Sequence, residues 1–172
     1  MANILDLRHG ITDIYDISDI GEEQASRLGK KLSEFGIKTI YSSPLKRAVS
    51  TAQIVSDIIN TDVKILENMH EMNLGEAEGM TNKESRDKYG AILDVQKSSL
   101  HLDFLTARIP GGESNAGVIS RLEKFISYIK DKYDNSDVIA LSSHGYFMTV
   151  TYYYFFKNIK TFKNCDFFQV EI

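Results

Sequence analysis

Apolar and polar positions alternate with two rhythms along this chain. Residues 3–7 form a short apolar segment that predicts a buried strand, and a polar loop follows over residues 10–19. From Glu22 the apolar positions Ala25, Leu28, Leu32 and Phe35 repeat at helical spacing, with Gly36 as the predicted stop. Thr39, Ile40 and Tyr41 are β-branched or aromatic and predict a second strand. Ser43-Pro44 then reads as an N-cap followed by proline at the first helical position. Leu45, Val49, Ala52, Val55 and Ile59 are the buried stripe of that helix, and residues 63–66 are a third strand. Residues 67–114 are less regular, with five glycines, one proline and a helix candidate over residues 81–89. Val118, Leu122, Phe125 and Ile129 mark a further helix, residues 138–141 a buried strand, Gly145 onward a helix, and residues 167–172 a closing strand. Strands alternating with helices predict an α/β sandwich with a mostly parallel sheet, the irregular stretch passing over one end of it.

Composition narrows the class. The 172 residues are 42% hydrophobic and 26% charged, which excludes disorder, collagen and coiled coil and fits one globular domain over residues 1–172. A single cysteine, Cys165, permits no internal disulfide and suits a reducing compartment. The N-terminus carries Asp6 and has no long apolar region, so it is not a secretory signal. The apolar-aromatic run over residues 146–156 is too short to span a bilayer. The expectation is a cytoplasmic protein with no membrane partner. A net charge of −4 argues against nucleic acid as a partner but leaves room for a local cationic pocket.

Two of the four histidines share a setting. Arg8-His9-Gly10 follows the first strand and Ser143-His144-Gly145 follows a late one, so each histidine sits at the carboxyl end of a predicted parallel strand. That is the edge where open α/β sheets bind ligands. A metal would need further ligands, and no carboxylate or cysteine recurs at ligand spacing, so metal is set aside. Arg8 instead suits a phosphate, because guanidinium offers a planar fork of donors. Arg47, on the first turn of its helix, is the second candidate; a solvated helix arginine is the alternative.

The ordered motifs resemble the histidine phosphatase superfamily, also called phosphoglycerate mutase-like. They are Arg8-His9-Gly10, the stretch from Ser18 to Ala25, the stretch from Tyr41 to Ala48 with Thr51-Ala52, Glu71 with Gly75 and Glu78-Gly79, Pro110-Gly111-Gly112-Glu113-Ser114 with Arg121, and Ser143-His144-Gly145. The layout is similar to the small bacterial phosphatase and α-ribazole phosphatase branch. The resemblance implies a three-layer α/β/α sandwich with a small lid insertion around residues 72–110. It implies a phosphomonoester hydrolase without metal or organic cofactor, acting on a small phosphorylated metabolite. His9 would be the nucleophile and form a phosphohistidine. Arg8, Arg47 and a protonated His144 would hold the phosphoryl oxygens. Glu71 would protonate the leaving oxygen and later accept a proton from water. Thr12 and Gly145 complete the implied substrate contacts, a simple turn role being the alternative for Thr12.

The sequence also departs from the family. An acidic residue commonly follows Arg-His-Gly, with an asparagine four positions on; here these are Ile11 and Tyr15, and the usual tryptophan of the Gly-x-Trp-Glu-Gly block is Ala77. Glu78 and Glu113 read as solvated or capping acids, with tuning of the pocket as the alternative. His70 and His101 match nothing in the family and read as surface residues, and Cys165 as packing. Residues 152–156, Tyr-Tyr-Tyr-Phe-Phe, read as a packed helix end; the alternative is an exposed patch that pairs two copies as a homodimer. Two other activities stand as alternatives: mutase-type phosphoryl transfer, and dephosphorylation of a protein phosphohistidine. A non-catalytic phosphate-binding protein is the alternative from another class.

Overall fold

The computed structural model describes the backbone of residues 3–9 and all of residues 16–172. Within it the chain runs β1 (Asn3–His9), α1 (Asp19–Leu32), β2 (Ile37–Ser42), α2 (Lys46–Ile59), β3 (Asp62–Ile65), α3 (Asn82–Gln96), α4 (Asn115–Lys132), β4 (Val138–His144), α5 (Gly145–Phe156) and β5 (Phe167–Glu171), with 3-10 turns at Glu67–Met69 and Gly75–Ala77. The strands described form one sheet in the order β3-β2-β4-β1-β5. β1, β2, β3 and β4 are mutually parallel, and β5 closes the edge antiparallel to β1. The periodicity therefore gave the right class, an α/β sandwich with a mostly parallel sheet.

Side-chain alternation along the strands divides the core into two layers. Tyr41 of β2, Ile139 and Leu141 of β4, and Phe168 and Val170 of β5 pack with Val118, Leu122, Phe125 and Ile129 of α4 and Phe147 and Met148 of α5. The intervening residues Ile40 and Ala140 face the other way, onto Leu28 and Leu32 of α1 and Ala52 and Val55 of α2. Strands covered on both faces read as continuous apolar runs, as β4 does. α5 is apolar nearly all round because it is packed between β1, β4 and α4.

Several boundaries differ from the periodic reading. α1 starts at Asp19 because the Ser18 hydroxyl accepts from the Gly21 amide, and it ends at Leu32. Phe35 lies beyond the helix, edge-on to Phe167 at 5.8 Å, and Gly36, at φ +64°, makes the turn into β2 rather than stopping the helix. Ser43 does not cap α2: the N-cap is Leu45, in extended conformation and without a side-chain bond. α3 continues to Gln96, past Tyr89, and starts from a Thr81–Glu84 capping box. Tyr89 packs with Ala77 and Ile109 in a small apolar cluster internal to this lid segment. The aromatic run at the end of α5 is half-buried rather than sequestered: Tyr153 packs on Phe104 at 4.5 Å, Tyr152 on Phe168 at 5.4 Å, and Lys157 and Lys160 lie over Tyr154 and Tyr152. Among the described residues no helix is long and apolar enough to cross a membrane.

Candidate active site

The carboxyl ends of β1, β2 and β4 meet at one edge of the sheet. His9 stands opposite His144, and Arg8 opposite Ser143, in the parallel register of β1 and β4. The two strand-end histidines are thus neighbours in space although 135 residues separate them in sequence (144 − 9). The side chains of Arg8 and His9 lie outside the described residues, as do Gly10, Ile11, Thr12 and Tyr15.

His144 closes β4 and is the N-cap of α5. Its ring is 1% exposed. Arg47, on the first turn of α2 and 5% exposed, brings Nη2 to 3.1 Å from His144 Nδ1. On the other side of the ring the Ser43 hydroxyl lies 2.7 Å from Nε2. A guanidinium can only donate, so Nδ1 must accept, and Nε2–H then donates to Ser43. This geometry describes a neutral imidazole, where the family resemblance implies a protonated one. Ser43 also accepts from the Leu45 amide at 3.3 Å. Its hydroxyl thus joins the loop entering α2 to the histidine, in place of the helix cap that the Ser-Pro pattern suggested.

Glu71 reaches the same edge from the segment between the two 3-10 turns. Its Oε1 accepts from the Met72 and Phe147 amides, each at 2.9 Å, and its Oε2 from the Tyr146 amide at 3.0 Å. Two of these donors belong to the first turn of α5, where unpaired amides and the helix dipole favour an anion. Burial outweighs them and holds the carboxyl above the usual glutamate range; the three amides and the charge of Arg47 pull the other way. Gly145 is the first residue of α5, between His144 and these amides.

Other candidates separate. Glu113 is not solvated: Arg121 Nε and Nη2 grip its two oxygens at 2.8 Å each, and the two side chains are only 17% and 14% exposed. Glu78 caps locally, accepting from the Leu74 amide at 2.7 Å. His70 is half-buried rather than a free surface residue, and its Nδ1–H donates to the Glu71 carbonyl at 2.7 Å. His101 is exposed and accepts from the Asp103 amide. Cys165 packs beside Phe35 and Phe167, and burial lifts its thiol to about 11. Strand and helix placement pointed to Arg47 and His144, and the family resemblance pointed to Glu71 and Gly145. They missed Ser43 as a partner of His144, and they missed the amides of Met72, Tyr146 and Phe147. The available signal was the pair of serine doublets, Ser42-Ser43 and Ser142-Ser143, all four side chains fully buried where two strands end.

A parallel sheet whose carboxyl edge gathers an arginine, a histidine and a helix-bound glutamate belongs to the α/β proteins that handle anionic ligands at that edge. The family match is specific: residues 2–170 fit the histidine phosphatase superfamily, branch 1, and the chain belongs to that family. Phosphoserine phosphatase 1 of Hydrogenobacter thermophilus is 31% identical over 127 residues, 74% of this chain and 58% of that protein. A 2,3-bisphosphoglycerate-dependent phosphoglycerate mutase of Thermoplasma acidophilum is 36% identical over 85 residues, 42% of each chain. The chain therefore spans only about half of the length of these relatives. A mycobacterial glucosyl-3-phosphoglycerate phosphatase superposes with a TM-score of 0.80 at 23% identity, covering 97% of this chain and 88% of that one. At that identity the likeness establishes the fold.

Proposed function

We propose that this chain hydrolyses phosphomonoesters of small metabolites without a metal, through a phosphohistidine at His9. The observation that carries the reading is Glu71, a carboxyl group held above its ordinary range at the edge where His9 and His144 stand side by side. The neutral His9 imidazole attacks phosphorus in line while the bond to the ester oxygen breaks. Glu71, as the acid, gives its proton to that oxygen and the alcohol leaves. Water then attacks the phosphohistidine, Glu71 takes its proton, and phosphate departs from a regenerated imidazole. Arg8 and Arg47 stabilise charge on the phosphoryl oxygens, with Thr12 and the backbone at Gly145 completing the contacts. His144 is the acceptor of Arg47 in the free protein. An arriving phosphate dianion would compete for Arg47, release Nδ1 and favour protonation of the ring, which then joins the clamp.

The test is hydrolysis of an aryl phosphate in excess chelator, with phosphoenzyme trapped by quenching Glu71→Gln during turnover. Metal-independent turnover and a label that disappears in His9→Ala are expected. Absence of turnover by the unmodified protein from mildly acidic to neutral pH would sink the hydrolase reading. A label that persists in His9→Ala would sink the nucleophile.

A further inference from the structure

Glu71 sits on a stretch that contains neither strand nor α-helix, between β3 and α3. Something outside the sheet ladder must therefore fix its backbone. Arg121, in the second turn of α4, is placed to do so. Its Nη1 donates to the carbonyls of Asn68 at 2.5 Å and His70 at 3.1 Å, while Nε and Nη2 hold Glu113. The Glu113 amide in turn donates to the carbonyl of Asn73 at 2.8 Å. The ion pair thus grips the chain on both sides of Glu71. The guanidinium also lies over the Phe147 ring, 5.1 Å from its centre, and the Phe147 amide is one of the three donors to the Glu71 carboxylate.

We propose that Arg121, paired with Glu113, is the positioning residue for Glu71, holding the Glu71 backbone and the first turn of α5 in one fixed relation. The inference rests on the hydrolase reading for its catalytic consequence, but not for its geometry. A lysine would not reproduce these four contacts from one planar fork, because an ammonium presents a point charge and cannot reach two carbonyls and both carboxylate oxygens together. Among the described residues, Arg47 of α2 and Tyr146 of α5 interact electrostatically with Glu71. Arg121 touches neither oxygen of Glu71, so its effect is geometric. Loosening the clamp admits water to the carboxyl and returns its ionisation toward the ordinary glutamate range.

The experiment compares Arg121→Lys and Glu113→Gln with the unmodified protein by three readouts: kcat and KM on an alkyl phosphate, the pH profile of kcat/KM, and a carbon-13 carboxyl titration of Glu71 that needs no turnover. For Arg121→Lys a loss on the order of 10²-fold in kcat is expected, as for a small misplacement of a reacting group. KM should be nearly unchanged, and the alkaline limb and the Glu71 titration should both move to lower pH. Glu113→Gln, which keeps its shape and one acceptor for the guanidinium, should shift all three in the same direction but less. If both variants lose only thermal stability and the Glu71 titration stays in place, Arg121 is merely structural and the proposal falls. If Arg121→Lys does not fold, Glu113→Gln decides alone by the same titration. A protein with no turnover whose Glu71 titration still moves overturns the hydrolase reading and leaves the clamp standing.

Discussion

Glu71 holds two opposed influences: three amide donors favour its anion, while removal from water favours its acid, and burial wins. The direction of that shift fixes the pH behaviour. An acid with a raised folded pKa stays protonated above the usual glutamate range and loses its proton as pH rises through the folded value. Cleavage of an alkyl phosphate, whose leaving oxygen must be protonated, should therefore fall along an alkaline limb displaced upward from an ordinary glutamate. An aryl phosphate leaves without much help and should show little of that limb. Glu71→Gln should lower the alkyl ester rate by about 10²–10⁴-fold, remove the limb and spare the aryl ester by comparison. Steady-state profiles on the two esters check this, and equal losses on both would show that Glu71 is not the proton donor. By linkage, the raised pKa adds stability that is complete below the unfolded glutamate value and is lost as pH rises through the folded one. At this scale His144 was legible from its place after a predicted strand, and Glu71 only through the family resemblance. The tautomer of His144 was not, because it depends on Ser43 and Arg47, brought against the ring by a strand pairing across about 100 residues.

Elements place these side chains, and the turns between them have little freedom. Gly75 adopts φ +55°, and a Cβ there would stand 2.3 Å from both the Gly112 nitrogen and the Pro110 oxygen. The 3-10 turn that follows Glu71 is thereby pressed against the Pro110-Gly111-Gly112 turn backbone to backbone, with the Glu76 amide bonded to the Pro110 oxygen at 3.0 Å. Gly79 also has positive φ, at +77°, but a Cβ there meets nothing within 4 Å. Gly79→Ala should cost about 1–2 kcal/mol from backbone conformation alone. Gly75→Ala should cost more, because backbone must also move, and it should reduce activity by displacing the segment that carries Glu71. Urea midpoints of the two variants test the difference; equal costs would show that the approach of the two turns is not tight. The periodic reading found these elements where a stripe faces a large surface, as in α2 and α4. It stopped α3 early because the second half of that helix, beyond Gly90, buries few residues, among them the polar Gln96, whose amide bonds the carbonyls of Ala107 and Glu113. It assigned Ser43 to a helix cap because the Ser-Pro signal is local, while the bond that claims the hydroxyl is not.

The molecule as a whole separates support of the fold from support of the proton donor. The α4–α5 face of the sheet contains Met69 and Met72, which flank Glu71, and Phe147, which bonds it. Among the described residues, the apolar cluster of the α1–α2 face, centred on Leu28, Leu32, Ile40 and Val55, contains neither Met69, Met72 nor Phe147, although α2 also carries Arg47, whose charge acts on Glu71. Leu122 of α4 is 0% exposed and Leu28 of α1 is 2% exposed, so truncating either to alanine should destabilise by a similar amount, about 2–5 kcal/mol. Their catalytic effects should differ. Leu122→Ala opens a cavity in the layer that holds α4, and with it Arg121, against Met69, Met72 and Phe147, and it should lower kcat well below the melting transition. Leu28→Ala should lower the melting temperature while leaving kcat near that of the unmodified protein at 25 °C. Both variants are measured by thermal unfolding and by alkyl phosphate hydrolysis at one temperature. If the two lose kcat in parallel, the site responds to stability as a whole. If only Leu122→Ala does, the geometry of Glu71 is set by one face of the sheet, through side chains that a reading of single helices and strands cannot connect.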